Sequence, residues 1–418
     1  MFTTESREKI RNFLLCLGFS LFLAHYLIEN IFGLSGYVLG AVAYLSAVAF
    51  SPKRKYIPYQ AVFAIIVLFI SIVSRVLFRG YISSGFFETF VAIILFPLLG
   101  YMMSFTKQSA RKLIRFVALT SIYSAIGVSV YYINLFFPAP DFLIEVLKVE
   151  YASSYGEVQV RNISFYGASL VLGGISLIQL CCSAYCLIIA RRNDYLMWLM
   201  LSLALFCVFA SLARRAYVPA FVVLVFLFYF SDPKTRAILG SIAVSACAIF
   251  LIAVPNYLWN FFLRLTSIVD FSDQSNNSSR LVSMANGVRN AFENPFGVGL
   301  GSLSSLGKEY YTITEELGFK GVTESFYITL VGEVGIVQVS LLLLLTLSFR
   351  KNLQKDLRFW IIAIPFLIES IMGLSLMNPV IAILVFTLLF IHMEGDTGFT
   401  KSRAYNSKEI RKDSSLTS

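Results

Sequence analysis

Apolar residues in this chain gather in long continuous runs rather than in alternating or amphipathic patterns. A helix needs about 20 mostly apolar residues to cross a hydrocarbon core of about 30 Å. About twelve runs approach that length: near 12–28, 31–50, 57–78, 86–104, 115–137, 166–190, 195–212, 216–230, 237–255, 324–348, 359–377 and 378–393. Only α-helices and closed barrels satisfy their backbone in lipid. Continuous runs, unlike period-two alternation, predict helices. The expectation is an all-α integral membrane protein, a polytopic bundle of about 12 transmembrane helices forming one domain over 1–418.

Polar residues concentrate between the runs. A shorter loop covers 138–165, a large loop covers 256–322, and a polar tail covers 394–418. The large loop is too long for a plain connection. It opens on an aromatic piece, Asn256 to Ile268, followed by the polar linker FSDQSNNSS. A helix is predicted from 279 to 293, because Leu281, Ala285, Val288 and Phe292 share one face. Asn294-Pro295 ends it. Gly297, Gly299 and Gly301 then make an extended stretch that a ligand can approach closely.

Composition agrees with the membrane assignment. Of the 418 residues, 57% are hydrophobic and only 14% charged, whereas a soluble domain is about a quarter charged. The net charge of +10 would point to nucleic acid in a soluble protein. Its placement points elsewhere. With the N-terminus inside, the inner segments carry 23 of the 34 Lys and Arg and 9 of the 24 acids, a net +14. The remainder of the chain is then −4. This is the positive-inside asymmetry. It predicts a multi-pass membrane protein with both termini inside, the large loop outside and no nucleic-acid partner. The first helix, with a basic start and no small-residue cleavage site, reads as a retained anchor. All six cysteines lie in apolar runs, and the two histidines, His25 and His392, lie in no outer loop. No Walker or dinucleotide glycine motif occurs. Neither a metal nor a cofactor is expected.

A few charged residues stand out against this background. Arg214 and Arg215 lie between the seventh and eighth runs, on the face that positive residues avoid. They are either snorkelling helix-end cations or functional ones. Arg280 and Arg289 flank the apolar stripe of the loop helix on opposite sides. Guanidinium groups bind phosphate oxygens bidentately and stay charged, but such arginines also occur on ordinary solvated helices. Glu324 opens the tenth run and is either a helix cap or a general base. Glu333 and Glu369 lie deeper in apolar runs, where a carboxylate is either paired or functional. Arg75 and Glu88 fit an ion pair between adjoining spans. Arg161, with the acids of the shorter loop, and Tyr310 and Tyr311 are possible sugar contacts, although the tyrosines also suit interface anchoring.

Three blocks in order, ARRAYVPAF at 213–221, SRLVSMANGVRNAFENPFGVGLGSL at 279–303 and TESFYITLVGEVGI at 323–336, resemble the O-antigen polymerase and ligase superfamily of bacterial polysaccharide assembly. Ligases of that family usually carry His-Asn where Glu324-Ser325 stands here, so the resemblance leans to the polymerase branch. It implies a glycosyltransferase that joins undecaprenyl-diphosphate-linked oligosaccharide repeat units at the periplasmic face. Arg215 with its neighbour Arg214, Arg280 and Arg289 would bind the diphosphate, and Glu324 would be the base. Implied partners are the lipid-linked donor and acceptor, membrane lipid and a chain-length regulator protein. The alternatives are an O-antigen ligase, which moves polysaccharide to the lipid A core, and a transporter of the lipid-linked unit.

Overall fold

The structure, a computed structural model, describes 4–51, scattered positions from 62 to 100, 103–134, 150–154, 157–161, 164–190 except 167, 194–211, most of 213–241, 284–299 except 290–291, 325–340, and most of 357–394. In these residues the fold is all-α in its main elements. The helices are α1 (Thr4–Leu23), α2 (His25–Phe32), α3 (Gly36–Phe50), α4 (Lys107–Leu119), α5 (Ser121–Asn134), α6 (Ser169–Ala190), α7 (Tyr195–Ala210), α8 (Arg214–Phe230), α9 (Phe326–Val334), α10 (Ile364–Met372) and α11 (Pro379–Phe390).

The core is built around α6. Leu172, Ile175, Ile178, Cys181, Cys182 and Ala184 are fully buried, and the helix packs against α4, α7, α8 and α11. An apolar helix without a polar stripe suits this central place. The outer faces of the bundle stay apolar: Phe13, Val38, Val42, Leu199, Phe206, Phe221 and Phe228 are all exposed. An exterior of that kind exceeds what a water-facing surface tolerates and suits lipid.

Among the described residues, two helices are long and apolar enough to cross a membrane, Lys107–Val130 and Ser169–Ile189. A third span is available if the bent pair of α1 and α2 counts as one. Several shorter apolar helices accompany them, including Tyr195–Ala210, Arg215–Phe230 and Pro379–Leu389. Much of the third, fourth and ninth predicted spans lies outside the described residues.

The structure departs from the expected boundaries for local reasons. The first run does not continue straight to 28, because the chain bends by 68° where α1 gives way to α2. His25 opens α2, its Nδ1 2.9 Å from the Phe22 carbonyl oxygen and its ring 4.1 Å from that of Tyr37. The fifth span starts earlier than 115, at Lys107. Thr106 caps that start by accepting from the Ser109 N–H, and Ser109, Ala110, Leu113 and Ile114 turn inward. The shorter loop is not wholly irregular. It contains an antiparallel hairpin of β2 (Glu150–Ser154) and β3 (Glu157–Arg161), with Glu150 opposite Arg161. A short parallel pair, β1 (Ser104–Thr106) with β4 (His392–Glu394), ties the start of α4 to the end of the last helix.

Candidate functional site

Arg215 lies in the first turn of α8, and its surroundings fix it there. The turn between α7 and α8 is held by Ser211, whose hydroxyl donates to the Val208 carbonyl and accepts from the Ala213 N–H. This turn packs closely on α6. A Cβ added at Gly173 would lie 2.9 Å from the Ala213 Cβ and 3.2 Å from the Ser211 Oγ. Glycine at 173 therefore permits the approach that brings Arg215 to the first turn of α6, where its Nη2 donates to the Leu170 carbonyl at 3.2 Å. Its Nε lies 3.0 Å from Oε1 of Glu369, on α10.

This ion pair is well shielded. Arg215 is 14% exposed and Glu369 1%. Gly373, one turn beyond Glu369, closes the arrangement. A side chain there would run into the Glu369 carboxylate and into the Arg215 Cδ, which a Cβ would meet at 2.7 Å. The Gly373 carbonyl accepts from the N–H of Phe326, the first residue of α9, at 3.0 Å. The Tyr327 hydroxyl donates to the Leu367 carbonyl at 3.0 Å. The starts of α6, α8 and α9 thus converge with the end of α10 around one guanidinium.

The tenth run is not one continuous helix. α9 stops at Val334, and Gly335 follows with φ +86 and ψ 157, a conformation essentially confined to glycine. Helix resumes over 336–340. The break exposes backbone, and the end of the large loop docks onto it. Val298 N–H donates to the Gly332 carbonyl at 2.9 Å, and Gly299 N–H donates to the Glu333 carbonyl at 3.0 Å. Val337 N–H donates to the Pro295 carbonyl at 3.3 Å, and the Gln338 amide to the Phe296 carbonyl at 3.4 Å. Gly297 and Gly299 were expected to let a ligand approach closely; in the structure Gly297 lies against the backbone of the broken span, and the Gly299 N–H bonds to it. Gly301 lies outside the described residues.

The other expected site residues are distributed unevenly. Glu324, Arg280, Tyr310 and Tyr311 lie outside the described residues, as do the side chains of Arg214 and Arg161. Residues 284–289 are helical, as predicted for the loop helix. Arg289 is 79% exposed on that segment and pairs with Glu293 at 2.8 Å, one turn on. Of the apolar stripe, Ala285, Val288 and Phe292 are exposed as well, Phe292 at 69%. Glu333 is buried on α9.

Sequence reasoning marked Glu369 as a lone carboxylate in an apolar run but did not match it with Arg215. It missed the Leu170 carbonyl and Gly373 altogether. One signal was present: Glu369 and Gly373 are four residues apart and so share a helical face.

Chemically, the arrangement offers a fixed cation at the meeting point of four helix ends. A guanidinium presents several N–H donors in one plane and remains charged. That suits recognition of phosphate or carboxylate oxygens. None of the curated proteins matches the chain closely. Residues 198–343, which hold Arg215, the docked loop end and α9, match the family model described as O-antigen ligase, and this match supports membership of the O-antigen polymerase and ligase superfamily.

Proposed function

We propose that the chain is a membrane glycosyltransferase that polymerises undecaprenyl-diphosphate-linked oligosaccharide repeat units into O-antigen or a related surface polysaccharide. In this reading about twelve helices span the inner membrane, both termini are cytoplasmic, and the site lies at the periplasmic face. A chain-length regulator would act with it.

The observation that carries the reading is the place of Arg215. Its guanidinium is held beside Gly373, and Gly373 bonds to the first residue of α9. Glu324 precedes that residue by two positions, and two residues of chain span at most about 7 Å. In this reading Arg215 is the cation for the diphosphate, and Glu324, close before α9 in sequence, is the base.

The reaction is a single displacement. The acceptor hydroxyl oxygen attacks the anomeric carbon of the growing chain, and the bond from that carbon to the lipid diphosphate breaks. The diphosphate leaves with the electron pair, and Glu324 takes the hydroxyl proton. One displacement inverts the anomeric centre. Charge builds on the diphosphate as the bond breaks, and Arg215, Arg280, Arg289 and Arg214 would neutralise it. Diphosphate is a good leaving group, so no second carboxylate is needed, in contrast to glycosidases.

The ligase reading is favoured by the description of the matched family. The polymerase reading is favoured by Glu324-Ser325 at the head of α9 and by the placing of both histidines, His25 and His392, away from the large loop. Deletion cells complemented with Arg215→Ala, Arg280→Ala or Glu324→Ala separate the two. Loss of a polymerase leaves surface polysaccharide of single repeats. Loss of a ligase leaves long lipid-linked polymer unattached to the lipid A core. A normal ladder from all three variants sinks both readings. Transport of the lipid-linked unit without bond formation by the purified protein would favour a transporter.

A further inference from the structure

We propose that Glu369 is a positioning residue for Arg215, setting the direction of the guanidinium that receives the lipid diphosphate. The inference rests on the glycosyltransferase reading above. It extends the site to α6 and α10, which lie outside the matched segment 198–343.

Glu369 is 1% exposed on an apolar helix, and burying a carboxylate there is unfavourable unless it is paired. A buried ion pair is seldom more stabilising than two well-packed apolar residues. Stability alone is therefore a poor reason for this pair. Direction is a better one. A long, flexible side chain is held at two points from two different helices, at Nε by Glu369 Oε1 and at Nη2 by the Leu170 carbonyl. Both N–H groups point within the guanidinium plane, so acceptors on two different helices set its orientation.

The Arg215 stem passes over Gly373, where a Cβ would collide with both the Glu369 carboxylate and the Arg215 Cδ. The absence of a side chain at 373 leaves the path by which the two groups meet. The carbonyl of that same glycine anchors the head of α9. One residue therefore relates the direction of Arg215 to the start of the helix that follows Glu324. Catalysis by charge stabilisation depends on groups aimed where charge develops. An arginine of the right charge aimed wrongly would bind substrate and fail in turnover.

The test is a double-variant cycle on the full-length protein, reconstituted in lipid with undecaprenyl-diphosphate-linked repeat units extracted from cells making the polysaccharide. Arg215→Ala, Glu369→Ala and the double variant are compared for kcat, KM and melting temperature. Glu369→Gln, which preserves volume, replaces Glu369→Ala if the latter does not fold. The expected result is a fall in kcat of about 10- to 100-fold for the Glu369 variant, with KM little changed. The double variant should be no slower than Arg215→Ala, because Glu369 acts only through that side chain. Glu369→Asp, which keeps the charge, should recover part of the rate. Independent, multiplying losses in the double variant would overturn the inference and leave the glycosyltransferase reading intact. A lowered melting temperature with unchanged kcat would do the same. Full activity of Arg215→Ala, or no chain growth by the unaltered protein, would overturn the reading and the inference with it.

Discussion

Gly297 and Gly335 meet backbone to backbone. A Cβ on Gly297 would lie 2.6 Å from the Gly335 nitrogen, and one on Gly335 would lie 2.5 Å from the Gly297 nitrogen. Both residues also have positive φ, +76 and +86. The end of the large loop and the broken span can therefore dock only because neither position carries a side chain. Docking satisfies backbone groups that the break leaves without helical partners.

Gly335→Ala and Gly297→Ala should each prevent this docking. Backbone strain alone costs about 1–3 kcal/mol, and the collision adds to it. Melting of the purified protein should fall clearly in both. Gly240→Ala is the control, because a Cβ there meets nothing within 4 Å. If the control and the two docking variants melt alike, the interlock contributes nothing to stability.

Arg215→Lys should behave unlike a conservative change. Lysine keeps the charge but lacks the planar fork that reaches both Glu369 and Leu170. The surface polysaccharide of Arg215→Lys cells should show a shortened ladder, between the normal one and the single repeat expected of Arg215→Ala. Gel analysis reads the difference directly. A ladder of normal length would mean that charge suffices.

Gln179 should be a stability residue without a role in turnover. It is fully buried on α6. Its amide donates to the Thr120 hydroxyl at 3.0 Å, at the joint between α4 and α5, and it also bonds Ser124. Ser124 in turn lies 2.7 Å from the Tyr166 hydroxyl. Gln179→Leu removes both bonds, while Ser124 keeps Tyr166 and Thr120 keeps the Val117 carbonyl, and should cost about 1–3 kcal/mol. Lowered melting with kcat retained is the expected pattern, and a loss of kcat at unchanged stability would contradict it.

Glu8 provides a pH dependence near the N-terminus. Its carboxylate accepts from the Ser109 hydroxyl, from the Thr106 hydroxyl at 2.8 Å and from Arg11 at 3.4 Å. Hydrogen bonding from Ser109, the largest influence, holds its pKa below the ordinary glutamate value despite some burial. A carboxylate depressed in the folded state stabilises the fold above its unfolded pKa, about 4.3. That contribution is lost as pH falls through the lower folded value. The melting difference between the native protein and Glu8→Gln should therefore be full well above the ordinary glutamate pKa of about 4.3 and shrink as pH falls below it. A difference that stays constant across this range would rule out the carboxylate as its source.

Individual elements show how much was legible beforehand. The run 166–190 anticipated α6 closely, because an apolar helix at the centre of a bundle needs no partner to declare itself. The pair of runs around Arg214 and Arg215 anticipated α7 and α8. The break at Gly335 was not anticipated. Its neighbours are apolar and continue the helical pattern, and only the docked loop makes the positive φ worthwhile. The hairpin at 150–161 was not anticipated either, because short strands in a polar loop carry little periodic signal. Arg11 was counted as an inner charge setting orientation. In the structure it is buried and stacks on Phe105 at 3.9 Å.

Features that depend on neighbours along the chain are readable from the order of residues. Helical class and the apolar runs follow from local composition, because a continuous apolar run suits a helix that satisfies its own backbone. The three motif blocks were visible for the same reason. Tertiary structure decided what depends on contacts between distant segments. Glu369 became the partner of Arg215, and the loop glycines became a seat for a broken helix, only when packing brought those helices together. A lone carboxylate or glycine in an apolar run has many possible partners, and its contribution depends on which of them the fold places within hydrogen-bond reach.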